Sequence, residues 1–460
     1  MERFGKMRRG MRSWLWLSLL LMSLVLIGCG AKSGQEKGTE TVSQGKQEEK
    51  EAESKEKKKV GKVEGFTEKE LELLCGEWTV VCGTFRYEED GQIDESFAMS
   101  DEEEGVGRDL FIYTEDGKLY ADYRSMSVEY YHLPLQRKKE ALYEGYKGEN
   151  WCLVGEKGRW EDSDLRFGVN QDQEMTQYSS GVDEGKWTYE SLYLKQGSEK
   201  LKHAEDYRYS KTVTVSTAEE FAAAIGNRTK IILKPGEYDL TELGKEGEQG
   251  FTLSDVSNLC IMAESNALTE LYITDSVRPV LPISSGNNIL LDGITLGHRV
   301  EPGTCSGSVI YAEYGNRITI KDCRLYGSGS YGFETDKSND ITLKGTEIYD
   351  CTYGIMDLRD SYMIEAEQCD FHDNHGFEML DLMNSAGIRF KACKFRNNGG
   401  EDHVFLTMRE SWNVEFYDSQ FEGNIYPLFH NSITNDGQPM DNEPVIENCT
   451  FNEKEDHAFG

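Results

Sequence analysis

The ten residues ITIKDCRLYG, Ile318 to Gly327, return twenty-three residues later as ITLKGTEIYD. Variants of the same phrase continue to the end of the chain. Aligned on the equivalents of Cys323, the copies centre on Ile294, Cys323, Thr346, Cys369, Cys393, Ser419 and Cys449, spaced 29, 23, 23, 24, 26 and 30 residues apart. Five residues before each centre stand Ile289, Ile318, Ile341, Ile364, Ile388, Val414 and Pro444; two after stand Leu296, Leu325, Ile348, Phe371, Phe395, Phe421 and Phe451. Apolar and polar positions alternate at period two, the pattern of a strand with one buried face. A strand-periodic repeat of this length describes a solenoid, each copy one coil of three short strands and three turns. Successive coils then lie about 4.8 Å apart, and like residues stack on like.

These repeats resemble the right-handed parallel β-helix of the pectate-lyase-like superfamily. The entry segment TVSTAEEFAAAIGNRTKIILKPGEYDL, residues 214–240, is similar to that superfamily's opening, a helix followed by a strand and PGEY. Ser216 and Glu219 are read as the capping box of that helix. A helix over the open end protects an otherwise exposed strand edge. The resemblance runs over residues 207–460.

Residues 65–206 lack the repeat. Stretches such as GEWTVVCGTFRYEEDGQ and DLFIYTEDGKLYADYR alternate like strands, and EDG occurs twice between them as a hairpin signal. Trp78, Trp151, Trp160 and Trp187 are core candidates. LLCGEWTV resembles the Gly-x-Trp opening of lipocalin-like barrels, which implies that Trp78 closes one end. The fold class expected is all-β: a small antiparallel barrel or sandwich, then a parallel β-helix.

The N-terminus is not fold material. Five basic residues precede the apolar run WLWLSLLLMSLVLIG, which reads as a secretory signal over residues 1–28. The run closes on LIGC, which resembles the lipoprotein cleavage box and implies a lipid on Cys29, an extracytoplasmic location and a membrane anchor without a spanning helix. Residues 30–64 contain no aromatic residue and nearly balance Lys against Glu. Such a segment buries too little apolar surface to fold and would act as a tether reaching about 30 Å.

The chain carries a formal charge of −33; residues 1–28 hold five bases and one acid, so without them it stands near −37. Phosphate backbones are repelled by such a surface, and nucleic acid is not an expected partner. Of eleven cysteines none stands in a CxxC pair. Those at the repeat centres are expected as stacked thiols, with a Cys369–Cys393 disulfide as the alternative.

Aligned backward from the next coil, Glu334, Asp357 and Asp381 share one position on the third strand, with Asp336, Arg359, Met383 and Arg409 two residues on. Carboxylates on neighbouring coils repel unless a cation or Arg359 lies between them. No cofactor is expected, with calcium the alternative for such a row. Asp357, Asp381 and Arg359 are the catalytic candidates, with Glu334 a ligand contact. A second row, Tyr331, Tyr353, His375, His403 and Tyr426, would offer flat rings to sugar faces. His375 and His403 lack a third ligand, so no metal site is read from them. The resemblance implies no catalytic residue: the hydrolase segments NTD, an Asp pair and GHG are missing, and NHGFE at 374–378 is only a faint echo. The expected function is a membrane-anchored surface lipoprotein whose β-helix holds an extracellular carbohydrate without cleaving it. The alternatives are a divergent polysaccharide lyase or glycoside hydrolase, and a structural or protein-interaction module of the cell envelope.

Overall fold

The computed structural model describes residues 61–100, 109–124, 129–155, 165–170, 172–182, 185–243, 250–301 and 303–452. Cys29, the signal-like run, the charged tether up to residue 60 and Trp160 lie outside the described residues; the tether's expected last residues are part of the fold, with Val63 packed against the barrel core.

The first part is a closed barrel rather than a sandwich. Its strands are β1 (Gly76–Glu89), β2 (Gln92–Met99), β3 (Asp109–Glu115), β4 (Lys118–Arg124), β5 (Glu129–Lys138), β6 (Cys152–Gly155), β7 (Leu165–Val169), β8 (Met175–Val182) and β9 (Lys186–Lys195). The start of β1 pairs with β3, its other edge pairs with β9, and β3 to β9 follow in order. Eight strands thereby close, while β2 folds back on the outer half of β1. Both EDG signals are two-residue hairpin turns. Asp90 and Gly91 take φ 51° and 76°, and Asp116 and Gly117 take 47° and 72°, the mirror-image turn that matches strand twist.

Helix α1 (Glu68–Leu74) plugs one end of the barrel. It starts on a full capping box between Thr67 and Glu70 and buries Leu71 and Leu74 in the barrel core. Trp78 does close this end: it is buried, and its indole N–H donates to Leu74 O at 2.9 Å. Trp151 joins the same core. Trp187 does not; it is half-buried on the β8–β9 hairpin. Its ring lies where a Cβ on Gly181 would be, 2.4 Å away.

A 3₁₀ segment, Glu199–Arg208, leads to the solenoid. Arg228, at the solenoid's first coil, fastens the two parts. Its guanidinium lies 3.7 Å over the ring of Phe97 on β2 and donates to Tyr207 O at 3.0 Å. Helix α2 (Ala218–Ala224) covers the end of the solenoid with Phe221 fully buried. Its cap sits one residue later than the sequence suggested. Thr217 is the N-cap and accepts from Glu220 N, while Ser216 donates to the Glu220 carboxylate.

Three parallel sheets of ten, nine and eight strands form the solenoid wall. Ile289, Ile318, Ile341, Ile364, Ile388 and Val414 stand in register down the first sheet, all buried. Leu296, Leu325, Ile348, Phe371, Phe395 and Phe421, all buried, and the half-buried Phe451 stand in register down the second. Each corner holds its own column of small polar residues. The first is the repeat-centre column, where Cys369 and Cys393 remain thiols, as do all ten described cysteines. At the second corner Asn374 Nδ2 donates to Asn398 Oδ1 and Asn398 Nδ2 to Asn424 Oδ1, at 2.9 and 3.1 Å. At the third, the backbone N–H groups of Ser338, Ser361 and Ser385 donate to the hydroxyls of Ser361, Ser385 and Ser411. These columns take up the backbone groups that a turning strand leaves without sheet partners.

Candidate functional site: a cleft on the third sheet

Side chains alternate across a strand, so each third-sheet strand sends every second residue outward. Two outward columns result. One stacks Tyr311, Glu334, Asp357, Asp381 and Thr407 in register; the other stacks Glu313, Asp336, Arg359, Met383 and Arg409. The sequence alignment of Glu334 with Asp357 and Asp381 is thus the observed register. Tyr311, Glu334, Asp357 and Asp381 of the first column, with Asp336, Arg359 and Met383 of the second, border a cleft of about 730 Å³.

The carboxylates are individually engaged. Asp357, 7 % exposed, receives Arg359 on both oxygens, with Nε at 3.0 and 3.1 Å and Nη2 at 2.7 Å. Asp381 is bound by Arg409 Nη1 from the second column. Glu334 accepts from the Ser330 hydroxyl. Burial pushes the Glu334 carboxyl up, against the Ser330 bond and with help from the Asp357 charge. Burial also pushes Asp381 up to about 6, opposed by Arg409 and reinforced by Asp357 and Glu378. Guanidinium groups thus serve Asp357 and Asp381, the role first considered for calcium. Among the described residues no three His, Cys, Asp or Glu side chains gather as a metal-binding group.

The Asp381 shift sets a pH dependence. Its folded pKa lies above the ordinary 3.8, so between about pH 4 and 6 the folded chain holds a proton that the unfolded chain has released. Stability from this group is present at low pH and is lost as pH rises through 6. Lowering the pH from 7 to 5 is expected to return about 1 kcal/mol. Urea midpoints at both pH values, for the native chain and Asp381→Asn, check this; an equal pH response in the two would refute it.

The ring ladder differs from the sequence reading. Tyr353 meets Phe377 with centroids 4.1 Å apart and planes tilted by 44°, and Phe377 meets His403 at 4.9 Å and 38°. His375 is not in the ladder. The turn from Asn374 to Leu380 is one residue longer than its equivalent, Cys351 to Met356. Gly376 absorbs the extra residue at φ 107°, where a Cβ would come within 2.4 Å of Thr352 O. Phe377 is thereby carried under Tyr353, its N–H donating to Tyr353 O, and His375 turns to solvent. Tyr426 is also outside the ladder, buried against Phe405 and Phe429. Tyr331 is only 6 % exposed and meets Tyr353 edge-on at 6.0 Å, a support rather than a surface. Tyr353 and Phe377 are the exposed rings, at 39 % and 38 %. His403 Nδ1 lies 4.0 Å from Glu378. Phe377 and Glu378 were missed by sequence reasoning; counting back from the paired strand residues Met356 and Leu380, which puts Phe377 level with Tyr353, would have found them.

Fold and cleft define a right-handed parallel β-helix domain carried behind an antiparallel barrel. The family model for a right handed beta helix region matches residues 250–380 and 297–451. Solved structures of the same architecture are distant. Pectate lyase Pel9A is 10% identical over 55% of this chain and 79% of its own, with a TM-score of 0.33. The A-module of mannuronan C-5 epimerase AlgE6 from Azotobacter vinelandii is 10% identical over 56% and 94%, at 0.31. The surface adhesin PfbA of Streptococcus pneumoniae is 11% identical over 49% and 75%, at 0.30. Likeness at this level carries no argument about activity. No curated protein matches the chain in sequence. No helix of the described residues is long and apolar enough to cross a membrane.

Proposed function

We propose that the third-sheet cleft holds an extracellular glycan chain without cleaving it. The observation that carries this is the pairing of an exposed ring ladder, Tyr353 and Phe377, with a row of carboxylates and guanidinium groups along one cleft. Ring faces take the apolar faces of sugars, and the charged row takes hydroxyls. Two of the three row carboxylates are occupied by Arg359 and Arg409, which suits holding a ligand better than acid–base chemistry. Truncating both Tyr353 and Phe377 to Ala is expected to weaken oligosaccharide binding by about tenfold to a hundredfold, at roughly 0.5–1.5 kcal/mol per ring. Calorimetry against a glycan panel reads it. Unchanged affinity would sink the reading, and release of reducing ends or unsaturated product would replace holding with cleavage.

The second part of the proposal is the anchor. LIGC at residues 26–29 supports a lipid on Cys29, with residues 30–64 holding the domains away from the membrane. Cys29→Ser is expected to move the protein from the membrane fraction to the soluble one and to abolish palmitate labelling. Retention of both would remove the anchor.

A further inference from the structure

The charge of the cleft says which glycans it can hold. Six carboxylates border it, Glu334, Asp336, Asp357, Asp360, Glu378 and Asp381, against the single base Arg359. Arg359 is already spent on Asp357. The cleft runs on into a second hollow of about 420 Å³, sharing Ser306, Tyr311 and Glu334 with it. The base there, Arg278, is bound to Asp275 at 3.0 Å and donates to Thr241 O at 2.8 Å. Both arginines among the described lining residues are therefore committed to the protein's own oxygens. A sugar carboxylate entering this cleft would meet like charge, with the nearby cations Arg409 and Lys337 already paired to Asp381 and Asp336, within a chain of net charge −33.

The second hollow is also bordered by an unpartnered polar residue. Ser308 lines it, is 1 % exposed, and its hydroxyl has no hydrogen-bond partner. A buried hydroxyl without a partner costs free energy that a bound polar group would recover. Polar demand thus continues along the axis beyond the ring ladder, as an extended polymer requires.

We infer that the cleft is selective for glycans bearing protonated amines, such as a deacetylated hexosamine polymer, over polyuronates. An ammonium group beside Glu334 would gain a charge-assisted hydrogen bond. It would also offset the repulsion between Glu334 and Asp357, neighbours in register on adjacent coils. The inference rests on the glycan-holding reading and narrows it.

The test is calorimetry of the full chain in detergent with oligomers of matched length: deacetylated glucosamine, N-acetylglucosamine, galacturonate and lysine. The deacetylated glycan is expected to bind at least roughly tenfold tighter than its acetylated counterpart, and galacturonate not at all. Glu334→Gln should erase that preference and keep weak binding of the acetylated form. Glu365→Gln, on the first sheet, should leave both unchanged. Equal affinity for acetylated and deacetylated oligomers, or a preference for galacturonate, overturns the inference and leaves glycan holding intact. Oligolysine binding as tightly as the amino glycan, or a preference that survives Glu334→Gln, reduces the effect to bulk charge and overturns it too. Binding of none of the oligomers overturns both.

Discussion

Asn398→Asp is expected to be among the most damaging single-atom exchanges in the solenoid, costing about 3–5 kcal/mol at neutral pH. Volume and shape are kept; only the donors go. Asn398 is buried at the second corner, where its Nδ2 donates to Phe371 O at 2.8 Å and to Asn424 Oδ1 at 3.1 Å. Its Oδ1 accepts from Asn374 N and Asn374 Nδ2 at 3.2 and 2.9 Å. An aspartate keeps the accepting side and aims a second oxygen at two oxygens. Ionised, it buries a charge in a column without a cation; protonated, it takes up a proton and its pKa rises. Either route subtracts from a total stability on the order of 5–15 kcal/mol. Asn398→Ala is expected to cost less, about 2–3 kcal/mol, since it orphans Asn374 groups without adding charge. The raised carboxyl fixes the pH sign: as pH falls the Asp variant should regain more stability than the Ala variant, which keeps only the native response set by Asp381. Urea midpoints at pH 7 and 5 decide it, and an Asp variant as stable as the Ala variant at pH 7 would refute the buried column.

The repeat was legible because burial writes it directly. Residues such as Ile318 and Ile341 fill the same slot, and a slip of one residue would turn each strand inside out. That constraint also placed Glu334, Asp357 and Asp381 in register, since the outward residues of a strand follow from the inward ones. Turns carry no such rule. The extra residue before Leu380 is absorbed at Gly376, so a ring ladder counted across the turn chose His375 where Phe377 stands. The corner columns were partly legible. Cysteine, threonine and serine at the repeat centre were read as small inward residues. Ser338, Ser361, Ser385 and Ser411 stand just before four successive first-sheet strands, and Asn374, Asn398 and Asn424 just after three successive second-sheet strands, yet they look like ordinary turn residues. Their partners lie 23 to 26 residues away, visible only once the coils are stacked. In the barrel, the Asp-Gly turns and Trp78 were readable; closure was not, because it depends on both edges of β1 being used.

Phe395→Ala is expected to cost about 3–5 kcal/mol, a loss that should stay on one side of the break. Phe395 is fully buried in the second-sheet column, parallel to Phe421 with centroids 4.7 Å apart and next to Phe371 at 5.1 Å. Phe390, Phe405 and Phe416 meet it edge-on at 5.6, 5.6 and 6.0 Å. Removing the ring leaves a cavity in which none of these neighbours can collapse far, since each is held by its own strand pairing. Phe395→Leu refills much of that space and should cost clearly less. Coils contact only their neighbours, so solenoid stability is close to a sum of local and interface contributions. The ring column runs C-terminally from Phe395 through Phe421 to Phe451, whereas the coils N-terminal to it lead back to α2. Amide exchange should therefore accelerate most in the strands from Leu406 onward and least around Ile231 and Leu259, with the melting temperature falling by about 10 °C. A loss below about 1 kcal/mol would contradict the packing of the ring column. Uniform acceleration from the first coil to the last would show that the solenoid unfolds as one unit rather than coil by coil.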